Sequence, residues 1–298
     1  MRISLLNDSE QGIGGGWTFM RNIQKGLEKL GHQVSVNDME AQIALVSGVT
    51  MVTRDTIDLV KEKGIKLVVR IDNVPRNSRN RNTGTSRLKE FPQGADEVVW
   101  QGRWAKEYLI DFIKREGVII HNGVDEEIFN PDGLVYRPQP LQGCRPIYLY
   151  SRFNRDETKN WEVAWYEYQL IHRENPNAGL IILGKFSPEQ QEYNFDFFRG
   201  EKYFYTGIID DPQFVANVYR GSDYLMAPYY NDCFSNTYLE FLMCKKNIVP
   251  PYGLYKLNLS GGTPELLELW EKNGREYFTL ERMAKDYEVV FKRLLGEV

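Results

Sequence analysis

Short apolar runs of strand length alternate along this chain with longer stretches of helical period. Residues 2–6 (RISLL) are such a run. A glycine-rich stretch follows. In residues 17–30, Phe19, Ile23, Leu27 and Leu30 then recur at three- and four-residue spacing. That spacing lays an apolar stripe along one face of a helix. Gly31 closes the helix, and a second strand runs to Val36. Strand, glycine loop, helix and strand in this order predict a right-handed βαβ unit. Residues 41–47, 66–71, 97–100 and 118–120 read as further strands, and 55–63 and 104–114 as helices. The second half repeats the alternation. Strands are predicted at 147–152, 180–184, 203–207, 223–227 and 247–250. Helices are predicted at 161–173, 211–221, from 235 or 236 onward, at 266–272 and at 279–295. The last carries Met283, Tyr287, Val290, Phe291 and Leu294 on one face. Two stretches follow neither period. Residues 132–146, rich in Pro, Gly and Gln, predict a linker between domains. Residues 70–89, with Pro75, Gly84 and several Asn and Ser, predict a mobile loop.

Size and charge narrow the classes. A chain of 298 residues, 42% hydrophobic, is long enough for two domains, each with its own core. A formal net charge of −4 argues against a general nucleic-acid binder. Cys144, Cys233 and Cys244 have no paired spacing and read as reduced thiols of a cytosolic protein. His32, His121 and His172 are scattered and make no zinc motif. The apolar run after Met1 is too short for a signal peptide, and no run approaches the 18 apolar residues of a membrane span. The expected location is the cytoplasm, free or peripheral to a membrane.

Candidate chemistry gathers in residues 227–265. A strand ends at Pro228, and a polar turn with Asp232 leads to a helix carrying Glu240. Ser235 or Asn236 is the expected N-cap of that helix. Beyond the next strand comes Gly261-Gly262-Thr263-Pro264-Glu265. Acids and free NH groups therefore collect beside strand ends, where open α/β sheets bind ligands. Earlier, the loop Gly12-Ile-Gly14-Gly15-Gly16 lets backbone approach a phosphate, and the helix after it favours negative charge. It lacks the Lys-Ser/Thr pair of a P-loop and the third glycine of the dinucleotide fingerprint. Asp38 keeps a dehydrogenase as a distant option. No spaced acid pair of metal-dependent transferases stands at a strand end, so no metal is expected, and Asp210-Asp211 reads as a helix cap. The stretch from Arg70 to Lys89 holds six basic residues against one acid, Asp72.

Taken together, these stretches resemble the retaining GT-B glycosyltransferases of family four. Asp232 and Glu240 match its paired acids at a spacing of eight, with Asp where Glu is usual. Gly261, Gly262, Thr263 and Glu265 match its Gly-Gly turn. His121-Asn-Gly-Val-Asp125…Phe129-Asn-Pro131 matches the stretch closing its first domain, with His121 replacing Pro. Arg152 and Lys159 match its diphosphate-neutralising cations. Ser151 stands where Gly is usual, and the longer spacing leaves Arg155 as a competitor. The order of the motifs covers nearly the whole chain.

The resemblance implies an α/β protein of GT-B architecture, with two Rossmann-like domains facing a central cleft. Residues 1–135 would be the acceptor domain, with a C-terminal helix at 281–298 returning to it. Residues 144–280 would be the donor domain. The implied reaction moves a sugar from a nucleotide-sugar to an acceptor with retention of configuration. Arg152, Lys159 and Asp232 would be catalytic. Gly14, Gly15, Gly16, Glu240, Gly261, Gly262, Thr263, Glu265 and Ile208 would bind the donor, Glu240 at the ribose and Ile208 at the base. Asp72, Arg76, Arg79 and Arg81 would meet the acceptor, which is expected to be anionic or at a membrane surface. No cofactor beyond the nucleotide-sugar substrate is implied. Two alternatives remain open: a nucleotide-sugar epimerase of related fold, and a non-catalytic sugar-nucleotide binder.

Overall fold

A computed structural model describes residues 1–9, 12, 14–75, 82–153, 159–184, 202–245 and 261–297. Its elements begin with β1 (Arg2–Leu6), α1 (Gly15–Lys29), β2 (Gln33–Val36), β3 (Ile43–Val46), α2 (Arg54–Glu62) and β4 (Lys66–Ile71). There follow α3 (Asn82–Glu90), β5 (Glu97–Trp100), α4 (Arg103–Ile113), β6 (Val118–Ile119) and β7 (Ile147–Phe153). Next come α5 (Trp161–Glu174), β8 (Gly179–Gly184), β9 (Tyr203–Gly207), α6 (Pro212–Gly221) and β10 (Tyr224–Met226). The chain closes with α7 (Asn236–Met243), α8 (Thr263–Asn273) and α9 (Leu280–Leu295). The expected strand at 247–250 lies outside the described residues.

The chain divides into two compact units. The first comprises Met1–Asp125, Asp232–Asn236 and Gly261–Val298. Its six strands are all parallel, in the order β2-β1-β3-β4-β5-β6. A parallel sheet is covered on both faces, which is why β1, β3 and β4 read as near-continuous apolar runs. One face packs Ile3, Leu5, Ile43 and Val68 against Phe19, Ile23 and Leu27 of α1 and Met283, Tyr287 and Phe291 of α9. The other packs Leu6, Val46, Val69 and Trp100 against Val60, Leu88 and Leu109. The C-terminal helix belongs to the first unit. Thr279 caps it, its hydroxyl accepting from Arg282 N.

The second unit comprises Glu126–Asn231 and Thr237–Ser260. Its described strands are parallel, in the order β10-β7-β8-β9. Its core is aromatic: Tyr150 meets the Trp161 ring edge-on at 5.0 Å, and Tyr168 is fully buried. Residues 132–146, expected as a linker, are built into this unit. Tyr136 N donates to Asn217 O, Leu141 and Cys144 are buried, and the Arg220 guanidinium donates to the carbonyls of Ile128, Asn130 and Leu134. A stretch without period is held here by a cation from α6 that satisfies its carbonyls.

Two local expectations fail. Residues 82–90 form α3 where a loop was expected. Leu88 is buried in the core of the first unit, and Gly84 lies close to Thr50, where a Cβ would come within 3.1 Å of Thr50 Cγ2. Burial of the Leu88 side chain and close packing outweigh the weak helix propensity of this segment. The expected cap of α7 is also not made by a side chain of Ser235, whose hydroxyl is buried without a partner. Asn236 Oδ1 accepts instead from Asn122 Nδ2 at 2.6 Å. Asp211, by contrast, caps α6 by accepting from Gln213 N at 2.9 Å.

The α1–α9 seam sets a stability expectation. Phe291 is fully buried against Tyr287, and Phe19 packs on the same tyrosine. Phe291→Ala should cost about 3–5 kcal/mol through lost transfer energy and a cavity. Urea denaturation followed by circular dichroism measures this; a loss below about 1 kcal/mol would mean that the seam contributes little.

Candidate functional site

In open parallel sheets, ligands bind beyond the carboxyl ends of the strands, where the strand order reverses direction. Each unit has one such point. In the first it lies between β1 and β3, and in the second between β7 and β10.

At the switch point of the second unit, Ser151 and Arg152 lie in the last three residues of β7, and β10 leads to Tyr229. Tyr229 donates its hydroxyl to Ser151 O at 2.6 Å. The Lys159 ammonium lies 4.5 Å over the Tyr229 ring, and Tyr150 donates to Lys159 O at 2.8 Å. The side chain of Lys159 is thus aimed at the strand end and buried. The Tyr219 hydroxyl stands 3.4 Å from Ser151 Oγ and 3.5 Å from Glu240 Oε2. Burial, then the Glu240 carboxylate, pushes the Tyr219 phenol well above its ordinary value, so it stays a neutral donor. Lys159 and Glu240, singled out from the sequence, are therefore joined through Tyr229, Ser151 and Tyr219. The two tyrosines were missed; the signal for them was polar tips inside otherwise apolar runs, which require a buried partner. Ile208 follows β9 and is 45% exposed.

In the first unit, the glycines at 14–16 open α1 beyond β1. Helix α1 has no side-chain cap and no acid in its first turn, so its N-terminal dipole favours an anion. Asn236 Nδ2 reaches Gly15 O at 3.5 Å. Beside them sits Arg70 in β4, 1% exposed. Its guanidinium donates to Ser47 O at 2.9 Å and to Asn122 Oδ1 at 3.0 Å, pairs with Asp72 at 3.1 Å, and covers the Phe19 ring at 3.8 Å. Asn122 passes the chain of contacts to Asn236 and to Phe234 O. Asp72 is thus held at the strand end, with its carboxylate turned toward Arg70. Asp38, the residue behind the dehydrogenase option, instead pairs with Arg2 on the surface, 2.9 Å from Nη2.

The Gly-Gly turn also lies in the first unit. Gly262 N donates to Asp232 O at 2.8 Å. A Cβ on Gly262 would come within 1.8 Å of Cys233 O, and Gly261 has φ +66°, so both positions need glycine. The turn leads to Thr263, which is buried, and to Glu265 in the first turn of α8. The Glu265 carboxylate accepts from Arg103 N at 2.8 Å and Trp104 N at 3.0 Å. It thereby caps α4, whose own N-cap is Gly102 and has no side chain to do so. A Cβ on Gly102 would come within 3.0 Å of Glu265 Oε2. His121 Nε2 lies 2.9 Å from Glu265 and His121 Nδ1 lies 2.8 Å from the Tyr277 hydroxyl. A cavity of about 260 Å³ opens here, lined by Arg103, Ile119, His121, Glu265, Glu268 and Leu269. Burial alone would raise the Glu265 carboxyl, but His121 and the two backbone NH groups outweigh it and hold it below 4.5. The side chain of Arg152 and the residues Arg76, Arg79, Arg81 and Arg155 lie outside what the structure describes.

A depressed folded-state pKa means that the Glu265 contribution is present in full above about pH 4.5 and lost as pH falls through the folded value. Glu265→Gln should therefore destabilise the protein by about 1–3 kcal/mol at pH 7, because one NH donor is left facing an amide NH₂. The gap to wild type should narrow toward pH 3. Urea titrations at pH 7, 5, 4 and 3 measure it, and a gap constant with pH would rule out the carboxylate charge as its source.

The sequence matches no family model and no curated protein. Solved structures do match. One is AviGT4, a glycosyltransferase involved in avilamycin A biosynthesis, at 13% identity and TM-score 0.63, covering 100% of this chain and 98% of that one. A glycosyltransferase from Rickettsia africae ESF-5 matches at 15% identity and TM-score 0.60, covering 100% and 99%. Anabaena Alr3699/HepE in complex with UDP and glucose matches at 12% identity and TM-score 0.56, covering 99% and 98%. At such identities the likeness concerns architecture, and the architecture of this chain is the GT-B fold.

Proposed function

We propose that this protein is a retaining glycosyltransferase that moves a sugar from a nucleotide-sugar to an acceptor. The observation that carries the reading is the cluster at the β7–β10 switch point, where a buried cation and a buried carboxylate are linked through Tyr229, Ser151 and Tyr219 on a GT-B fold. Two of the similar structures are glycosyltransferases, and a third holds UDP and glucose. In this reading Lys159, with Arg152, neutralises the charge that grows on the departing nucleoside diphosphate. A buried ammonium is worth more there than in water, and it is in place before the reaction begins. Glu240 accepts from the ribose hydroxyls, and Ile208 meets the base. Asp232 contacts the transferred sugar, and the turn at Gly261, Gly262 and Thr263 lies along it, anchored through Glu265. Gly14, Gly15 and Gly16 offer the α1 N-terminus to the diphosphate. Asp72, Arg76, Arg79 and Arg81 draw in an anionic acceptor, free or at a membrane surface. Among the described residues no helix is long and apolar enough to cross a membrane. None of these steps calls for a metal.

Incubation of the pure protein with UDP-, GDP- and ADP-sugars, followed by mass spectrometry, tests the reading. Transfer of hexose mass to an acceptor, or release of free nucleotide with the sugar anomer retained, is the expected outcome. An epimerised nucleotide-sugar, or binding without turnover, would favour one of the alternatives instead. With the donor found, Lys159→Ala should lower kcat/KM about ten- to a hundredfold, the loss of one charge-assisted partner of the leaving group. Steady-state kinetics measure this, and full activity in Lys159→Ala would remove the lysine from the mechanism.

A further inference from the structure

His121 has no part in the reaction above, yet it stands between two largely buried partners in the first unit. Proline is usual at this position in the family-four pattern, so nothing in that pattern assigns the histidine a role. Its Nε2 lies 2.9 Å from Glu265 Oε1, and its Nδ1 lies 2.8 Å from the Tyr277 hydroxyl. The partners fix the hydrogen positions. Burial would raise the Glu265 carboxyl, but its donors hold it below 4.5, so at neutral pH it is ionised and can only accept. Nε2 therefore carries a hydrogen. In the neutral ring Nδ1 is then an acceptor, and Tyr277 donates to it. Burial pushes the Tyr277 phenol up, so that proton stays in place. A flipped ring would present carbon to both partners, so the two bonds select one orientation. Phe234 packs on the ring with centroids 4.9 Å apart, and the Arg282 guanidinium lies 4.6 Å over the Tyr277 ring.

Three donors meet at Glu265. Arg103 N and Trp104 N come from the start of α4, and His121 comes from the turn after β6. Two adjacent NH groups of one helix let a carboxylate pivot; a donor from a second element removes that freedom. Glu265 stands in the first turn of α8, directly after the Gly-Gly turn. We infer that His121, oriented by Tyr277, is a positioning residue for the transfer: by donating from Nε2 to Glu265 it fixes the first turn of α8, and with it the Gly261-Gly262-Thr263 turn that meets the transferred sugar. This rests on the donor reading given above. The two glycines have no side chains with which to hold themselves, so the place of the turn is set by these remote contacts.

The test uses the UDP-, GDP- or ADP-hexose that wild type turns over, and the matching nucleoside diphosphate without sugar. His121→Ala should lower kcat/KM for the nucleotide-sugar about ten- to a hundredfold, the scale of a small misplacement at a reacting group. The Kd of the nucleoside diphosphate, from isothermal titration, should stay within a few-fold, because only the sugar meets the turn. A structural role alone would weaken both. His121→Gln sets an amide NH where Nε2 stands and should restore most of the activity. His121→Asn reaches only as far as Nδ1 and should not. Tyr277→Phe should give a smaller loss of the same sugar-dependent kind. Nitrogen-15 NMR of the imidazole, assigned by the signal lost in His121→Gln, should place the hydrogen on Nε2. Full activity in His121→Ala, equal losses with and without the sugar, equal activity of the Gln and Asn variants, or a hydrogen on Nδ1 alone overturns the inference; unchanged activity in Tyr277→Phe overturns the orienting role of the tyrosine. If His121→Ala does not fold, the comparison of Gln with Asn decides. Failure of wild type to turn over any of the three nucleotide-sugars overturns the donor reading itself, and this role with it.

Discussion

A single buried guanidinium holds the first unit together where its strands end. Arg70 is the last residue but one of an apolar strand and is buried, so its charge must be paired. The carbonyl of Ser47, the amide oxygen of Asn122, the Asp72 carboxylate and the Phe19 ring meet it. Each comes from a different place: the end of β3, the turn after β6, the end of β4 itself and helix α1. Because one planar cation serves all four, their positions are coupled. Removing one partner of a buried ion pair costs of order 3–5 kcal/mol in comparable cases. The same contact sets the geometry of the candidate site. Asn122, its oxygen accepting from Arg70, donates through its amide nitrogen to Asn236 and Phe234 O.

Glu265 does similar work farther along. Its carboxylate supplies the cap that Gly102 cannot, and His121 completes its hydrogen bonding. Through it the Gly-Gly turn is tied to the start of α4. A turn of two glycines must be held from elsewhere, since its own side chains are absent. Glu265 and the close approach to Cys233 provide that hold. The chemistry in the second unit is arranged differently. There the buried cation lies over one tyrosine ring and the buried carboxylate accepts from another tyrosine's hydroxyl.

Much of this was legible in the sequence because period is a strong signal. The strands of both sheets, the amphipathic α1 and α9, and the cap at Asp211 follow from local pattern alone. Glu240 and Lys159 were singled out through the family resemblance, on motifs that follow strand ends. What could not be read depends on partners remote in the chain. Arg70 finds Asn122 across 52 positions, and Glu265 finds Arg103 across 162. No local pattern encodes either, although Arg70 and Asp72, two apart on one strand face, offered a hint. Helix α3 was missed because its glycine and asparagine favour turns, while what forms it is the burial of Leu88 against residues far away. Tyr219 was missed because a tyrosine on an apolar helix face is ordinarily only core.

The central claim is that a nucleotide-sugar is held at the β7–β10 switch point by Lys159 and Glu240. A crystal structure of the protein with a bound nucleoside diphosphate tests it most directly. The account predicts ribose hydroxyls within hydrogen-bond distance of Glu240 and phosphate oxygens within reach of the Lys159 ammonium. A nucleotide lodged elsewhere, with Glu240 touching only protein, would contradict it.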